Sequence, residues 1–513
     1  MIDHAFVRKL LSASVGATRD DKLLGLLGSA VDHAADLGDE EGLQLAIEAI
    51  DAANGRTWAA TTQAALHYYS ANAWSSLRHL RHHDAEAAWQ WECIEHEHEV
   101  LCLRRSLTHE GFAQLDVTVQ CQVLTNVANV LSNIGRFPEA VEMYDRALDL
   151  DPAFGMASGN KGLCLLAYAR EHYEPGHQCT MAGRAAHALD HALARPLEMP
   201  AVRAGFISHR DLAKQLSDGH NCADPEALHS HGLGQSAEEQ TFRSWCLRNR
   251  LFINPLNDLG PVAIAGWDYL VLPTLSVRRE IGTGFHGFYN QLKQEFASAR
   301  WLFYEATEVM SPAFVDRELN LLDTLDRSAF GIALEKCKFS LRSAYSLFDK
   351  IAGFISFYLE LPPSKTTYFR WFWYEGPRKN RSLRKEFAGR RNLALRALFW
   401  LSKDLADDRD NAEHHEALEP DARRIAAIRN ALEHGYVKVV STSRLWTPEP
   451  DHVPPDRFAN RTTEAELVAK TLRVLKMARS ALVYLSLAVH REEREKPESD
   501  DASVRRGQLE PLR

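Results

Sequence analysis

The sequence predicts an all-α protein made of two helical regions. Two observations carry that expectation. Residues 1–204 consist almost entirely of Ala-rich amphipathic segments separated by short turns, and from Thr241 onward longer segments place apolar residues at three- and four-residue steps, the period of a helix with one buried face. Between them, residues 205–240 lose that period: "SDGHNCADPEALHSHGLGQSAEE" mixes Gly, Pro, Asp and Ser and reads as a linker. The expected organisation is therefore 1–204 helical hairpins, 205–240 linker, 241–490 antiparallel helical bundle, and a charged tail, 491–513, too poor in apolar residues to order itself.

Composition narrows the function classes. With 513 residues, 45% of them apolar and 25% charged, the chain can bury a sizeable core. A net charge of -9 excludes a generally basic nucleic-acid coat, so RNA binding has to rest on a local patch. The start "MIDHAFVRKLLSASVGATRDDK" lacks a leader pattern, and no stretch reaches ~18 uninterrupted apolar residues, so a cytoplasmic location without membrane partners is expected. Eight cysteines without C-x-x-C spacing argue against a zinc ribbon or a disulfide framework and read as reduced and structural.

The clearest hairpin is "VLTNVANVLSNIGRFPEAVEMYDRALDLDP", Val123 to Pro152. Leu124, Val127, Ala128 and Leu131 make one helix face, Gly135 and Arg136 the turn, and Ala140, Tyr144 and Ala147 face back; Pro152 ends the second helix. This order of small, large and proline positions resembles the tetratricopeptide repeat. Phe154–Glu174 and Leu66–Leu80 look like parts of flanking units. The resemblance implies a stack that recognises a protein or peptide partner.

Five segments make up the second region: Gly287–Met310, Phe330–Leu361, Asn392–Asp407, Asp421–Gly435 and Thr462–His490, the last opened by Thr463 and Glu466 at capping-box spacing. The fourth contains "RIAAIRNALEHGYVKV", in which Arg429, Asn430 and His434 end an amphipathic helix whose apolar stripe is Ile425, Ile428 and Leu432. R-x4-H spacing alone is weak, because the chain holds four such pairs: Arg78 with His83, Arg104 with His109, Arg409 with His414, and Arg429 with His434. The plain alternative for the last pair is an i,i+4 ion pair of Arg429 with Glu433 and a histidine that caps carbonyls.

Together with "WCLRNRLFINPLNDLGP", "FHGFYNQLKQEFASARWLFYE", "LRSAYSLFDKIAGF" and "LFWLSKDL", the segment "IRNALEHGYVKV" resembles a bacterial branch of the HEPN superfamily (higher eukaryotes and prokaryotes nucleotide-binding) that follows tetratricopeptide-like repeats. The resemblance covers about 200 residues. It implies metal-independent RNA cleavage by a homodimer, with Arg429 and His434 as the catalytic pair, Asn430 as the accompanying polar residue, no cofactor and no metal. The residue chemistry fits: histidine titrates near neutrality, and guanidinium holds phosphate. A toxin-like or antiviral defence role is implied by the architecture; the competing class is a non-catalytic adaptor in which repeats bind a partner and the bundle dimerises.

A second RNA candidate is "TTYFRWFWYEGPRKNRSLRKEFAGRR". Six rings from Tyr368 to Tyr374 precede Arg378, Lys379, Arg381, Arg384, Lys385, Arg390 and Arg391, and stacking rings beside cations suit single-stranded RNA. DNA is not expected as a partner. The plain alternative is core aromatics and a solvated basic loop. Histidine patches at His96 and His98, His229 and His231, and His414 and His415 lack metal-ligand spacing, and no G-x-x-x-x-G-K-[ST] loop is present.

Overall fold

A computed structural model of the chain describes residues 4–17, 19–84, 89–197, 199–218, 228, 231–310, 314–322, 324, 326–362, 368–376, 381–405, 422–440, 456–496 and 504–507. The helices run α1 (His4–Val15), α2 (Asp20–Asp36), α3 (Glu40–Asn54), α4 (Ala60–Arg81), α5 (Ile94–Thr108), α6 (Val117–Asn133), α7 (Phe137–Leu150), α8 (Gly155–Glu171), α9 (Pro175–Leu193), α10 (Pro200–Asp218) and α11 (Ala237–Arg248). They continue as α12 (Gly284–Thr307), α13 (Phe314–Arg317), α14 (Ile332–Tyr358), α15 (Lys385–Ala388), α16 (Leu393–Lys403), α17 (Ala422–His434) and α18 (Glu464–Glu495). Short strands interrupt the second half: β1 (Leu275–Arg278), β2 (Ser328–Ala329), β3 (Tyr374–Glu375), β4 (Ser382–Leu383), β5 (Tyr436–Val440), β6 (Ala459–Thr463) and β7 (Val504–Gly507).

The first half is a run of packed helical pairs. In the α6–α7 hairpin Leu124, Val127, Ala128 and Leu131 are buried against Ala140, Tyr144 and Ala147, and the Tyr144 hydroxyl donates to Asn129 Oδ1 at 2.7 Å. Gly135, at φ +83, makes the turn; a Cβ there would lie 2.6 Å from the carbonyl oxygen of Leu393 in α16, so positive φ and close approach both demand glycine.

α10 corrects the expected linker. The segment from Pro200 is helical because Phe206 buries itself against Leu189 and Ala192, over the gap left by Gly159, and irregular composition begins only where this helix ends. The disordered-tail expectation also needs correction: α18 reaches Glu495, and residues 504–507 form an antiparallel backbone ladder with β1 that charge-based reading does not anticipate. Six cysteines (Cys93, Cys102, Cys121, Cys164, Cys246 and Cys337) are free thiols as expected, whereas Cys179 is disulfide-bonded.

The second half packs α12, α14 and α18 side by side, with α16 on α18 and α17 on α14. Thr463 caps α18 by accepting from the Glu466 amide at 3.1 Å. The three-stranded sheet β2-β5-β6, in which β5 pairs parallel with β6, lies at the end of α17.

One hydrophobic core runs from Tyr68 through Leu131, Phe296 and Phe348 to Val489, joining the two halves; a smaller core serves α1–α4. Charged contacts reinforce the junction. Buried Asp404, just past α16, takes Arg104 at 2.5 and 3.0 Å and Arg136 at 2.6 Å, and Lys403 bonds Glu97 at 2.8 Å. Burial opposes the Asp404 charge, but the two arginines overcome it and hold its carboxyl below the usual range. Among the described residues no helix is long and apolar enough to cross a membrane.

Candidate active site

α17 exists because Ala422, Ile425, Ala426 and Ile428 are buried on one face. It ends after His434: the Gly435 amide still donates to the Ala431 carbonyl at 3.0 Å, and then the chain turns into β5. A Cβ at Gly435 would stand 3.2 Å from the Phe458 carbonyl oxygen at the head of β6, a tight contact that favours glycine.

α14 presents Arg342, Tyr345 and Asp349 along the side that faces α17, an i, i+3, i+7 series. Arg342 binds Glu433 at 2.9 and 3.0 Å, while Asp349 lies 3.8 Å from the Arg429 guanidinium, so the two helices run antiparallel. The Arg429 guanidinium sits 5.2 Å from the Tyr345 ring centroid and donates to Asn430 Oδ1 at 3.0 Å. Glu433 is thus taken by α14, and Arg429 is held by Asn430, Asp349 and Tyr345 rather than by the i,i+4 pair that plain helix statistics suggest.

Arg429 and Asn430 are brought together and half-buried; His434 is exposed at the helix end, about 140° further round at five residues' separation. Among the described residues no hydrogen bond joins His434 to Arg429. The arginine is held by its neighbours, and the histidine is open to solvent.

Asp349 also accepts from the Phe369 amide at 2.8 Å. Burial raises its carboxyl above the ordinary range, against the lowering effect of that hydrogen bond and of Arg429 and Arg370. Asp349 therefore ties the catalytic candidate to the aromatic-basic segment.

In that segment Phe369, Phe372 and Trp373 are buried, following the plain alternative of core aromatics; they fill space against Phe348, Phe387 and Phe399. Trp371 is half-buried, with Arg381 at 4.3 Å and Arg370 at 5.4 Å from its centroid. Arg390 is bound to Glu492 and donates to the Glu386 carbonyl at 2.7 Å, while its own carbonyl accepts from Trp89 and Trp91, a junction-building role. Arg384 is half-buried, Lys385 and Arg391 are exposed, and Arg378 and Lys379 lie outside the described residues.

Of the other histidines, His96 is buried edge-on to Trp400 and His98 stacks on Trp74 at 4.3 Å. His229, His414 and His415 lie outside the described residues. His82, Cys93 and Glu95 converge within 4.8 Å, but Glu95 is already bound by Arg81 at 2.9 Å, which satisfies it without an ion.

Next to His434 a cleft of about 310 Å³ is lined by Phe330, Phe339, Arg342, Leu432, Gly435 and Tyr436 among others. Its rings are open to solvent: Phe330 is 57% exposed, Phe339 51% and Tyr436 45%. Sequence reasoning missed Arg342, Tyr345 and Asp349; their spacing within Leu341–Phe354 was the available signal, but only the packing of α17 shows which face matters.

The C-terminal part of this chain is a HEPN domain. More particularly, residues 277–492 match the LA2681-like HEPN family. Comparison with curated proteins and with solved structures gives no match.

Proposed function

We propose that the protein is a metal-independent endoribonuclease of HEPN type. The observation that carries this reading is the Arg429–Asn430 pair, held by Asp349 and Tyr345 beside the exposed His434 inside a HEPN domain. Arg429 binds the scissile phosphate and stabilises its added charge. His434 moves a proton at the ribose 2'-hydroxyl or at the leaving oxygen. As the O2'–P bond forms the P–O5' bond breaks, leaving a 2',3'-cyclic phosphate and a 5'-hydroxyl.

A homodimer is part of the proposal. Open rings around the end of α17, with Phe458 85% exposed, provide an apolar face on which a second copy brings its own histidine near Arg429. Arg381, Arg384, Lys385 and Arg391, with Arg378 and Lys379, are the proposed contacts for flanking RNA. Arg390, bound to Glu492, is withdrawn from that set. The N-terminal helices are proposed to dock a protein or peptide partner, in a toxin-like or defence role, inside the cell.

The test is cleavage of labelled RNA in EDTA on a denaturing gel by the native protein, Arg429→Ala and His434→Ala. Cleavage that survives chelation and is lost in both variants supports the assignment. Intact RNA, or equal cutting by all three proteins, leaves the adaptor reading, which the same open apolar face also favours.

A further inference from the structure

Where α4 ends and α5 begins, three different metal-ligating side chains converge on one carboxylate oxygen. His82, the C-cap of α4, places Nε2 3.1 Å from Glu95 Oε2, and Cys93, the N-cap of α5, places Sγ 3.5 Å from the same oxygen. The three ligand atoms all lie within 4.8 Å of one another. We propose that His82, Cys93 and Glu95 bind a single Zn²⁺ ion, with water in its fourth position.

Donor chemistry and spacing both point to zinc. An imidazole nitrogen, a thiolate sulfur and a carboxylate oxygen together suit a borderline-soft ion, whereas Mg²⁺ and Ca²⁺ take oxygen ligands. Zinc bonds of about 2.0–2.3 Å set tetrahedral edges of about 3.3–3.6 Å, and the contacts at 3.1 and 3.5 Å are close to two such edges. Arg81 balances the charge of Glu95, but it takes Oε1, at 2.9 Å, and leaves Oε2 facing the histidine and the thiol. A thiol is a weak donor, so the carboxylate gains from exchanging that contact for an ion. A cation on the far oxygen is also what fixes the orientation of a ligating carboxylate.

The backbone already holds the ligands in place. The His82 amide donates to the Arg78 carbonyl at 2.9 Å, closing α4, and the Cys93 carbonyl accepts from the Glu97 amide at 3.1 Å, opening α5. Cys93 Sγ accepts from the His96 amide, and Cys93 and Glu95 stand at the positive end of α5, which favours anionic ligands. Burial pushes the metal-free thiol up to about 11, so the ion displaces the thiol proton, which goes to water. Glu95 is buried while His82 and Cys93 are half-buried, so the ion enters from the solvent side and keeps one water there. Bound zinc fastens α4 to the start of α5, where Glu92 and Glu97 reach Tyr374 and Lys403 of the second half. None of the three ligands lies on α14 or α17, and this inference does not depend on RNA cleavage.

Titration of the untagged full chain with Co²⁺, followed through the cobalt–thiolate charge-transfer band and then by displacement with Zn²⁺, tests the site. A single equivalent is expected to saturate the band, and Zn²⁺ to abolish it. Cys93→Ser should lose the band, and His82→Ala should weaken Zn²⁺ binding beyond the roughly 10–100-fold cost of losing a residue that only orients a ligand. Equal unfolding temperatures without metal verify that both variants fold, and added Zn²⁺ should raise that temperature in the native chain but not in Cys93→Ser. His83→Ala, which removes an exposed neighbouring ring bonded to the Leu80 carbonyl, is expected to bind as the native chain does. No band at saturating Co²⁺, a band that survives in Cys93→Ser, or equal weakening by His83→Ala overturns the proposal.

Discussion

Asp349 of α14 joins Arg429 of α17 to the backbone of the aromatic-basic segment: one carboxylate oxygen lies 3.8 Å from the guanidinium and the other accepts from the Phe369 amide at 2.8 Å. In the proposed nuclease Asp349 acts as a positioning residue. Asp349→Asn keeps an acceptor for Phe369 while removing the charge, and is expected to lower single-turnover cleavage roughly tenfold, about 1.4 kcal/mol in the barrier, with unfolding temperature unchanged. A fully active Asp349→Asn protein would remove Asp349 from the site.

Arg429→Lys tests the geometry rather than the charge. Contact with the Tyr345 ring and a directed hydrogen bond to Asn430 use the guanidinium plane, which an ammonium cannot reproduce. Cleavage is expected to fall by at least roughly tenfold, with RNA affinity falling less, because a point charge still attracts phosphate. Native rates in the lysine variant would show that charge alone suffices.

Local signals were legible in the sequence. The α6–α7 hairpin, the amphipathic stripe of α17, its stop at Gly435 and the Thr463 cap are set by neighbours within a few residues, and all were readable. The surroundings of Arg429 were not, because Arg342, Tyr345 and Asp349 lie some 80 residues away and only packing selects their face. Nor was the fate of "YFRWFWY": hydrophobicity cannot distinguish a ring that stacks on bases from one that fills a core, and Phe369, Phe372 and Trp373 fill the core. β5 begins directly after Gly435, where the β-branched Val437, Val439 and Val440 add a short strand to a fold that is all-α in class.

Removing one partner from the Asp404 cluster should loosen the junction. Asp404→Asn leaves Arg104 and Arg136 buried beside a neutral group, and breaking a buried pair costs about 3–5 kcal/mol. The denaturant midpoint is expected to fall accordingly. A midpoint unchanged within error would mean that the apolar core alone holds the two halves together.

Acid should destabilise the fold through its buried histidines. Burial lowers His177 and His67 to about 4, with Arg105 and His109 adding to the effect on His67, and it lowers His172 and His96 well below their ordinary value. A histidine whose folded pKa lies below its unfolded one binds more protons when unfolded, so its penalty is absent above pH ~6.5 and grows as pH falls toward the folded pKa near 4. For His177 this amounts to roughly 2 kcal/mol at pH 5. Urea midpoints measured at pH 7.5 and pH 5 should therefore fall with acid, and His177→Gln should show a smaller drop; an identical pH response in that variant would exclude His177 as a source.

Dimer formation through the open rings at the end of α17 makes the sharpest demand on the proposed activity. Phe458 is 85% exposed and Phe339 51%, so neither supports the monomer's core, and Phe339→Asp with Phe458→Asp should leave unfolding unchanged. If a second copy covers this face, buried carboxylates would repel it and strip the apolar contact, converting a dimer to a monomer in sedimentation velocity and abolishing cleavage together. A monomer that still cuts RNA would show that one chain suffices, with Arg429 and His434 of the same α17 acting on one phosphate. A dimer that persists in the variant would move the interface elsewhere and leave these rings free to stack on bases of the RNA itself.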